Sequence, residues 1–222
     1  MKIIRAGFEL MFDESGDSIL KKIEQVARTC YKSEDLITDE SADKMVRALI
    51  KRGHVAMLEH FSCTVKVYCD RGVSHEIVRH RVASYAQEST RYCNYGKDKF
   101  GKEITYIDLR NSAINDQRMQ KLPARTFECI MNEWLCACED AERHYLTMLD
   151  LGCPAEFARS VLNNSTKTEI CITMNLREWR HFFALRACRA TGPAHPQMEE
   201  IARPLLAEFK KRIPVVFADL EV

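Results

Sequence analysis

The chain has 222 residues, with 33 Lys+Arg against 32 Asp+Glu and a formal charge of +1 at pH 7. That length fits one domain, able to bury about 70% of its unfolded surface without disulfides or a structural metal. With 46% hydrophobic and 29% charged residues it is no disordered tract, and its near-neutral balance argues against a general nucleic-acid coat.

The N-terminal stretch MKIIRAGFELMFDESGD puts Glu9 and Asp13 where a signal peptide needs its apolar core. No apolar run approaches the roughly 18 residues of a membrane span. Residues 16–29 read as a helix with Ile19, Ile23 and Val26 on one stripe, and a second helix runs from Asp39 to Lys51, stopped by Gly53. The mixture FSCTVKVYC predicts a strand over 61–69. After Gly72 the pattern predicts a helix over 73–83. Residues 94–120 are polar and irregular, with a short strand at Ile104–Ile107. A long amphipathic helix over 124–150 ends at Gly152, and Pro154 opens a short helix to about Leu162. Residues 168–173, TEICIT, read as another strand. Helices follow at about 175–190 and 197–211, separated by a loop from Thr191 to Pro196. More helix than strand, in alternation, gives an α/β or α+β class.

The ten cysteines show no repeated spacing and no Cys-x-x-Cys, and the Cys136/Cys138 pair has no partner pair at zinc-ligand spacing. They read as free thiols of a reducing, cytoplasmic protein, and no metal site is expected.

Positive charge is concentrated in two windows. From Ile77 to Gln87 there is no acid, only Arg79, His80 and Arg81, with Arg91 just beyond; from Trp179 to Met198 there are Arg180, His181, Arg186, Arg189 and His195. Arginine's planar fork suits phosphates and planar heterocycles. On a helix Arg79 and Arg81 diverge to nearly opposite sides, which would let one segment touch two ligands or a ligand and a neighbouring subunit. A solvated basic helix is the plainer account of the triplet. The run SYAQESTRY over 84–92 then supplies hydroxyls, amides and Arg91, as a phosphate-binding loop would, or as a turn satisfying its own backbone would. In the second window Leu176, Trp179, Phe183 and Ala187 form an apolar stripe. Arg177 and His181 share another face with small residues, and Arg186 points elsewhere.

Arg79-His80-Arg81, seven residues, then Ser89 resembles the signature of flavin-dependent thymidylate synthases, extended by Ser84 and by Arg91-Tyr92. Asn175, Arg177, His181-Phe182 and Leu185-Arg186 are similar to that family's second landmark. Gly53-His54 before Glu59-His60 resembles its early motif, and Ala194-His195-Pro196-Gln197-Met198 its closing segment. The sequence departs from the common pattern at Ala86-Gln87, where many members have Asn-Glu, and at Met198, where Trp is commoner.

The resemblance implies a single domain over 1–222 with a twisted central sheet flanked by helices. It implies a homotetramer with sites shared between subunits, and no nucleic-acid or membrane partner. It implies methylation of dUMP to dTMP, with tightly bound FAD, 5,10-methylenetetrahydrofolate as carbon donor and NADPH as reductant. Carried over residue by residue, His54, Arg79, His80, Arg81, Asn175, Arg177 and His181 become FAD contacts. Glu76, Arg79, Gln87, Ser89, Arg91, Arg159 and Arg186 become dUMP contacts.

Pyrimidine carbon 5 is a weak nucleophile until electron density is pushed into the ring. The only cysteine adjoining the motif is Cys93, so no cysteine nucleophile is assigned; Arg186 favouring the ring's anionic form is the electrostatic alternative. Ser89 has no base beside it in sequence and reads as a phosphate ligand with Arg91 and Arg159. Two rival readings stay open: a nucleic-acid module using the same arginines, with steeply salt-dependent affinity, and a metal-dependent hydrolase. The latter lacks a carboxylate set to accompany the histidines at 54, 60, 75 and 80.

Overall fold

The computed structural model describes residues 1–222 as a mixed α/β protein. In chain order the elements are β1 (Lys2–Ile4), β2 (Gly7–Leu10), α1 (Gly16–Thr29), α2 (Ser41–Lys51), β3 (Ser62–Asp70), α3 (Arg71–Ile77) and β4 (Ser84–Gln87). There follow β5 (Thr105–Ile107), α4 (Leu109–Ala113), α5 (Gln117–Gln120), α6 (Ala124–Asp150) and α7 (Ala155–Ala158), then β6 (Lys167–Asn175), α8 (Leu176–Arg186), α9 (Pro196–Arg212) and α10 (Pro214–Phe217). One sheet pairs β1 with β5 in parallel; the other has four strands in the order β2-β3-β6-β4. No helix is long and apolar enough to cross a membrane.

The chain divides into two compact units, and β3, β4 and β6 each pass from one into the other along the chain. The first comprises residues 1–7, 67–79 and 86–170. Its core gathers Tyr95, Ile104, Tyr106, Cys138, Tyr145 and Ala158 around α6. The polar ends of these rings are satisfied: Tyr106 donates to the Cys138 carbonyl at 2.8 Å, and the Tyr145 hydroxyl accepts from the Tyr95 N–H at 3.2 Å. Asp70 caps α3 by accepting from the Val73 N–H at 2.6 Å.

The second unit comprises residues 8–66, 80–85 and 171–222. Its core is aromatic. Trp179, Phe183, Phe209 and Phe217 pack with ring centroids 5.1 to 5.7 Å apart, and Trp179 donates its indole N–H to the Cys63 carbonyl. Gly53, at φ +73, ends α2 in the left-handed turn that glycine tolerates, and the His54 N–H closes back on the Leu49 carbonyl at 2.8 Å. Gly16 is required by close approach, since an added Cβ would stand 2.1 Å from the Arg212 carbonyl oxygen.

Most expected elements form, with shifted ends, but three expectations are corrected. The helix expected over 73–83 stops at Ile77, and Ser84–Gln87 is a strand beside β6, so SYAQ lies in a sheet and not in a loop. Arg79 and Arg81 therefore do not share a helix, and the divergence expected of them on one does not arise. The helix expected over 175–190 ends at Arg186, where the Ala187 and Cys188 N–H groups both turn back to the Phe183 carbonyl. The helix opened by Pro154 is α-helical only to Ala158 and tightens into a 3₁₀ turn over Arg159–Val161.

Candidate active site

In the first unit the candidate phosphate ligands come together in the turn that follows β4. The Glu88 N–H donates to the Glu169 carbonyl, after which the Tyr92 and Cys93 N–H groups fold back on the Ser89 carbonyl at 3.2 and 2.9 Å. The Ser89 hydroxyl accepts from the Arg91 N–H at 3.3 Å. Buried Thr90 accepts from Arg159 Nη1 at 3.1 Å, and Arg159 Nε donates to the Glu156 carbonyl at 3.2 Å. Glu156 also faces Arg91 across 3.9 Å, with both side chains about half exposed. Two exposed guanidiniums and a hydroxyl thus gather here with one carboxylate, weakly held and facing Arg91 alone, a net positive group open to an anion.

Gln87 lies just upstream, its amide donating to Ser74 at 3.0 Å and Thr168 at 3.2 Å. Glu76 and Arg79 flank the end of α3, joined by the Arg79 N–H to the Glu76 carbonyl; the Arg79 side chain is exposed. Arg186, expected on the same nucleotide, belongs to the second unit.

In the second unit β6 runs directly into α8 through Asn175, whose Oδ1 accepts from the Glu178 N–H at 2.9 Å as the helix cap. The expected stripe of Leu176, Trp179, Phe183 and Ala187 is buried, and Arg177 and His181 stand exposed on the helix. Arg177 pairs with Glu59 at 2.5 Å. His54 and Arg81 are exposed as well. The exposed Arg177, Arg81, His54 and His181 offer N–H donors and positive charge, the chemistry that the diphosphate of a dinucleotide cofactor needs.

His80 is different: it is 5% exposed and sits between α8 side chains. Its Nε2 accepts from Arg186 Nε at 3.2 Å, and its Nδ1 lies 3.5 Å from Glu178 Oε1. Its ring packs edge-on against Phe182 at 5.0 Å and His181 at 5.9 Å, and its carbonyl accepts from the Tyr85 hydroxyl at 2.6 Å. A guanidinium can only donate, so Nε2 is bare and the ring proton sits on Nδ1, toward Glu178. Burial, reinforced by Arg186 and His181, lowers the His80 pKa to about 4, and burial raises that of Glu178.

This corrects the expectation that Arg186 points away from the Arg177/His181 face. Helical spacing does separate them, but His80, supplied by another segment, joins Arg186 to His181. Helix α8 also brings to His80 a carboxylate, Glu178, that sequence reasoning did not find. The ligand-type atoms of His80, Glu178 and His181 lie within 4.8 Å of one another, although the proton on Nδ1 occupies the nitrogen that a metal would need bare.

Glu156 and Glu178 were not singled out from sequence; Glu59 was named only within the early motif and Thr90 only within the run over 84–92, neither with a role. Glu178 carried a usable signal: it is the sole acid between Asn175 and Ala190, three residues before His181. The other three are ordinary polar residues until the chain folds.

The family described as thymidylate synthase complementing protein matches residues 15–215. A flavin-dependent thymidylate synthase from Geobacter sulfurreducens is 36% identical over 202 residues, covering 87% of this chain and 78% of the other. One from Corynebacterium efficiens is 31% identical over 207 residues, covering 90% and 79%. Among solved structures, a UMP/dUMP methylase from Streptomyces cacaoi, bound with 5-Br dUMP, shares the fold with a TM-score of 0.81 at 23% identity, covering 98% of this chain and 96% of that one. With a family match over most of its length and relatives above 30% identity, the chain belongs to the thymidylate synthase complementing protein family, that of the flavin-dependent thymidylate synthases.

Proposed function

We propose that the chain reductively methylates dUMP to dTMP as an FAD-dependent thymidylate synthase, with 5,10-methylenetetrahydrofolate as carbon donor and NADPH as reductant. It works in the cytoplasm as a homotetramer with sites shared between subunits. Each chain is one functional domain over 1–222, built on a twisted central sheet flanked by helices. The names of its relatives and the nucleotide analogue bound by the Streptomyces cacaoi methylase support the substrate; ten free cysteines are compatible with a reducing compartment.

His54, Arg79, Arg81, Arg177 and His181 would hold FAD through their donors, with His80 and Asn175, the cap at the start of α8, also contributing. When bound, FAD supplies the reducing equivalents and the one-carbon chemistry that no side chain provides. Ser89, Arg91 and Arg159 hold the dUMP phosphate, with Glu76, Arg79 and Gln87 completing the nucleotide contacts.

Arg186 faces the pyrimidine and stabilises the negative charge that grows as carbon 5 becomes nucleophilic. What supports this electrostatic reading is the bond from Arg186 Nε to buried, neutral His80, which holds one guanidinium edge in place. Burial pushes the Cys63 thiol up to about 12 and raises Cys69 as well, which makes these two poor nucleophiles.

The test is single-turnover dTMP formation with pre-reduced flavin at saturating dUMP. Arg186→Ala is expected to lose about 100- to 1000-fold in rate, and Arg186→Lys to recover only part, since it keeps the charge but not the fork. An Arg186→Ala protein as fast as wild type would reduce Arg186 to a binding residue and end the electrostatic mechanism.

A further inference from the structure

We propose that Glu178 is a positioning residue for the methylation, acting on Arg186 through His80: its carboxylate holds the His80 proton on Nδ1 and so keeps the Nε2 lone pair aimed at the Arg186 guanidinium. The proposal rests on the reading of Arg186 as the group that stabilises the pyrimidine anion.

A neutral imidazole has two tautomers, and only one of them serves Arg186. With the proton on Nε2, two N–H donors would face each other across the present 3.2 Å, and the guanidinium would be driven off. With the proton on Nδ1, both ring nitrogens meet complementary partners. A bare Nδ1 would instead oppose its lone pair to Glu178 Oε1, now 3.5 Å away. That distance is at the outer edge of a hydrogen bond, so Glu178 acts chiefly through the sign of its charge.

The surroundings hold the arrangement still. The ring is confined by Phe182 and His181, and its carbonyl is tied to the Tyr85 hydroxyl. Glu178 begins in the first turn of α8, its N–H fixed by Asn175, while Arg186 ends the same helix. One rigid element therefore carries both the orienting carboxylate and the oriented guanidinium, with His80 reaching in between them. Arg177 and His181, on the same helix, favour the charged form of Glu178 against its burial. A second-layer carboxylate on a histidine is the usual device for fixing which ring nitrogen bears the proton.

Two substitutions in the FAD-loaded protein test this. Glu178→Gln keeps an acceptor toward Nδ1; Glu178→Leu removes it. Single-turnover dTMP formation at saturating dUMP is expected to fall about tenfold in Glu178→Leu and to recover most of that loss in Glu178→Gln. Long-range ¹H–¹⁵N spectra with ring-labelled histidine supply a readout independent of turnover. At pH 7 the wild-type His80 is expected to be protonated at Nδ1 alone, the Gln variant to keep that pattern and the Leu variant to lose it. A wild-type His80 protonated at Nε2 overturns the proposal, even if the Leu variant does not fold. So does a Leu variant that keeps both its rate and its tautomer. A wild-type protein making no dTMP would overturn the functional reading instead, and the spectra would still judge the His80 arrangement.

Discussion

Burial holds the His80 ring neutral in the folded chain, with its pKa lowered from 6.5 to about 4. Unfolding restores the ordinary value, so between pH 6.5 and 4 the unfolded chain binds more protons and stability falls as pH falls. From pH 7 to pH 5 this one group is expected to remove about 2 kcal/mol. Urea unfolding at the two pH values, in wild type and in His80→Gln, checks it. The wild-type midpoint should drop further, and equal drops would assign the loss to other groups. Ser89 makes the second prediction at this scale. Its hydroxyl accepts from an N–H group, and no base is within its bonds to activate it. Ser89→Ala is expected to keep dTMP formation at saturating dUMP while weakening dUMP binding by about 1.5–3 kcal/mol. Loss of turnover in a flavin-loaded, saturated variant would favour a nucleophilic serine. Motif spacing singled out Ser89 and Arg91 and left Arg159 to the family resemblance. It could not find Thr90, whose role is to accept from an arginine 69 positions away, nor the link from His80 to Arg186 across 106 positions.

Helix α8 gathers much of the second unit's chemistry, and its start is set by one side chain. Asn175 leaves β6 in an extended conformation, φ −73 and ψ 165, and caps the helix through the Glu178 N–H. Replacing it with Ala is expected to cost about 0.5–2 kcal/mol, and with Asp very little, measured by urea midpoint. Both variants leave the aromatic stripe intact, so an equal loss in the two would mean that Asn175 acts through contacts other than the cap. The helix was legible because its apolar residues recur at three and four positions and end up fully buried. β3 and β6 were legible because nine residues of alternating burial leave a clear two-residue period. β1 and β2, at three and four residues, are too short to show any period, and no strand was expected there. β4 was misread for a related reason. Arg-His-Arg continues a helical pattern in sequence, but strand pairing beside β6 claims Ser84–Gln87, and tertiary pairing outweighs local propensity.

Several candidate ligand residues stand beside large apolar side chains that the single chain leaves uncovered. Val82 is 62% exposed next to Arg81, Tyr92 is 78% exposed next to Arg91, and Phe157 is 61% exposed two residues before Arg159. Isolated exposed apolar residues are ordinary, but three of them flanking three cationic candidates suggest surface made to be covered. A closed symmetric assembly would bury them and bring a neighbour to each candidate group, which is how sites come to be shared between subunits. Because α3 ends before Arg79, no divergence of Arg79 and Arg81 on one helix favours a tetramer; these exposed flanks do. The protein is expected to elute at about four times its 25.7 kDa chain mass, yellow, with about one FAD per chain. Sizing with light scattering and an absorbance scan measures both quantities. Tyr92→Glu would place a charge on the covered surface and should loosen the assembly and release flavin together, because a shared site cannot survive without its second subunit. A variant that dissociates yet keeps its full flavin would show that each chain binds FAD alone. A colourless wild-type monomer that takes up no added FAD would sink the shared-site reading and the cofactor assignment with it.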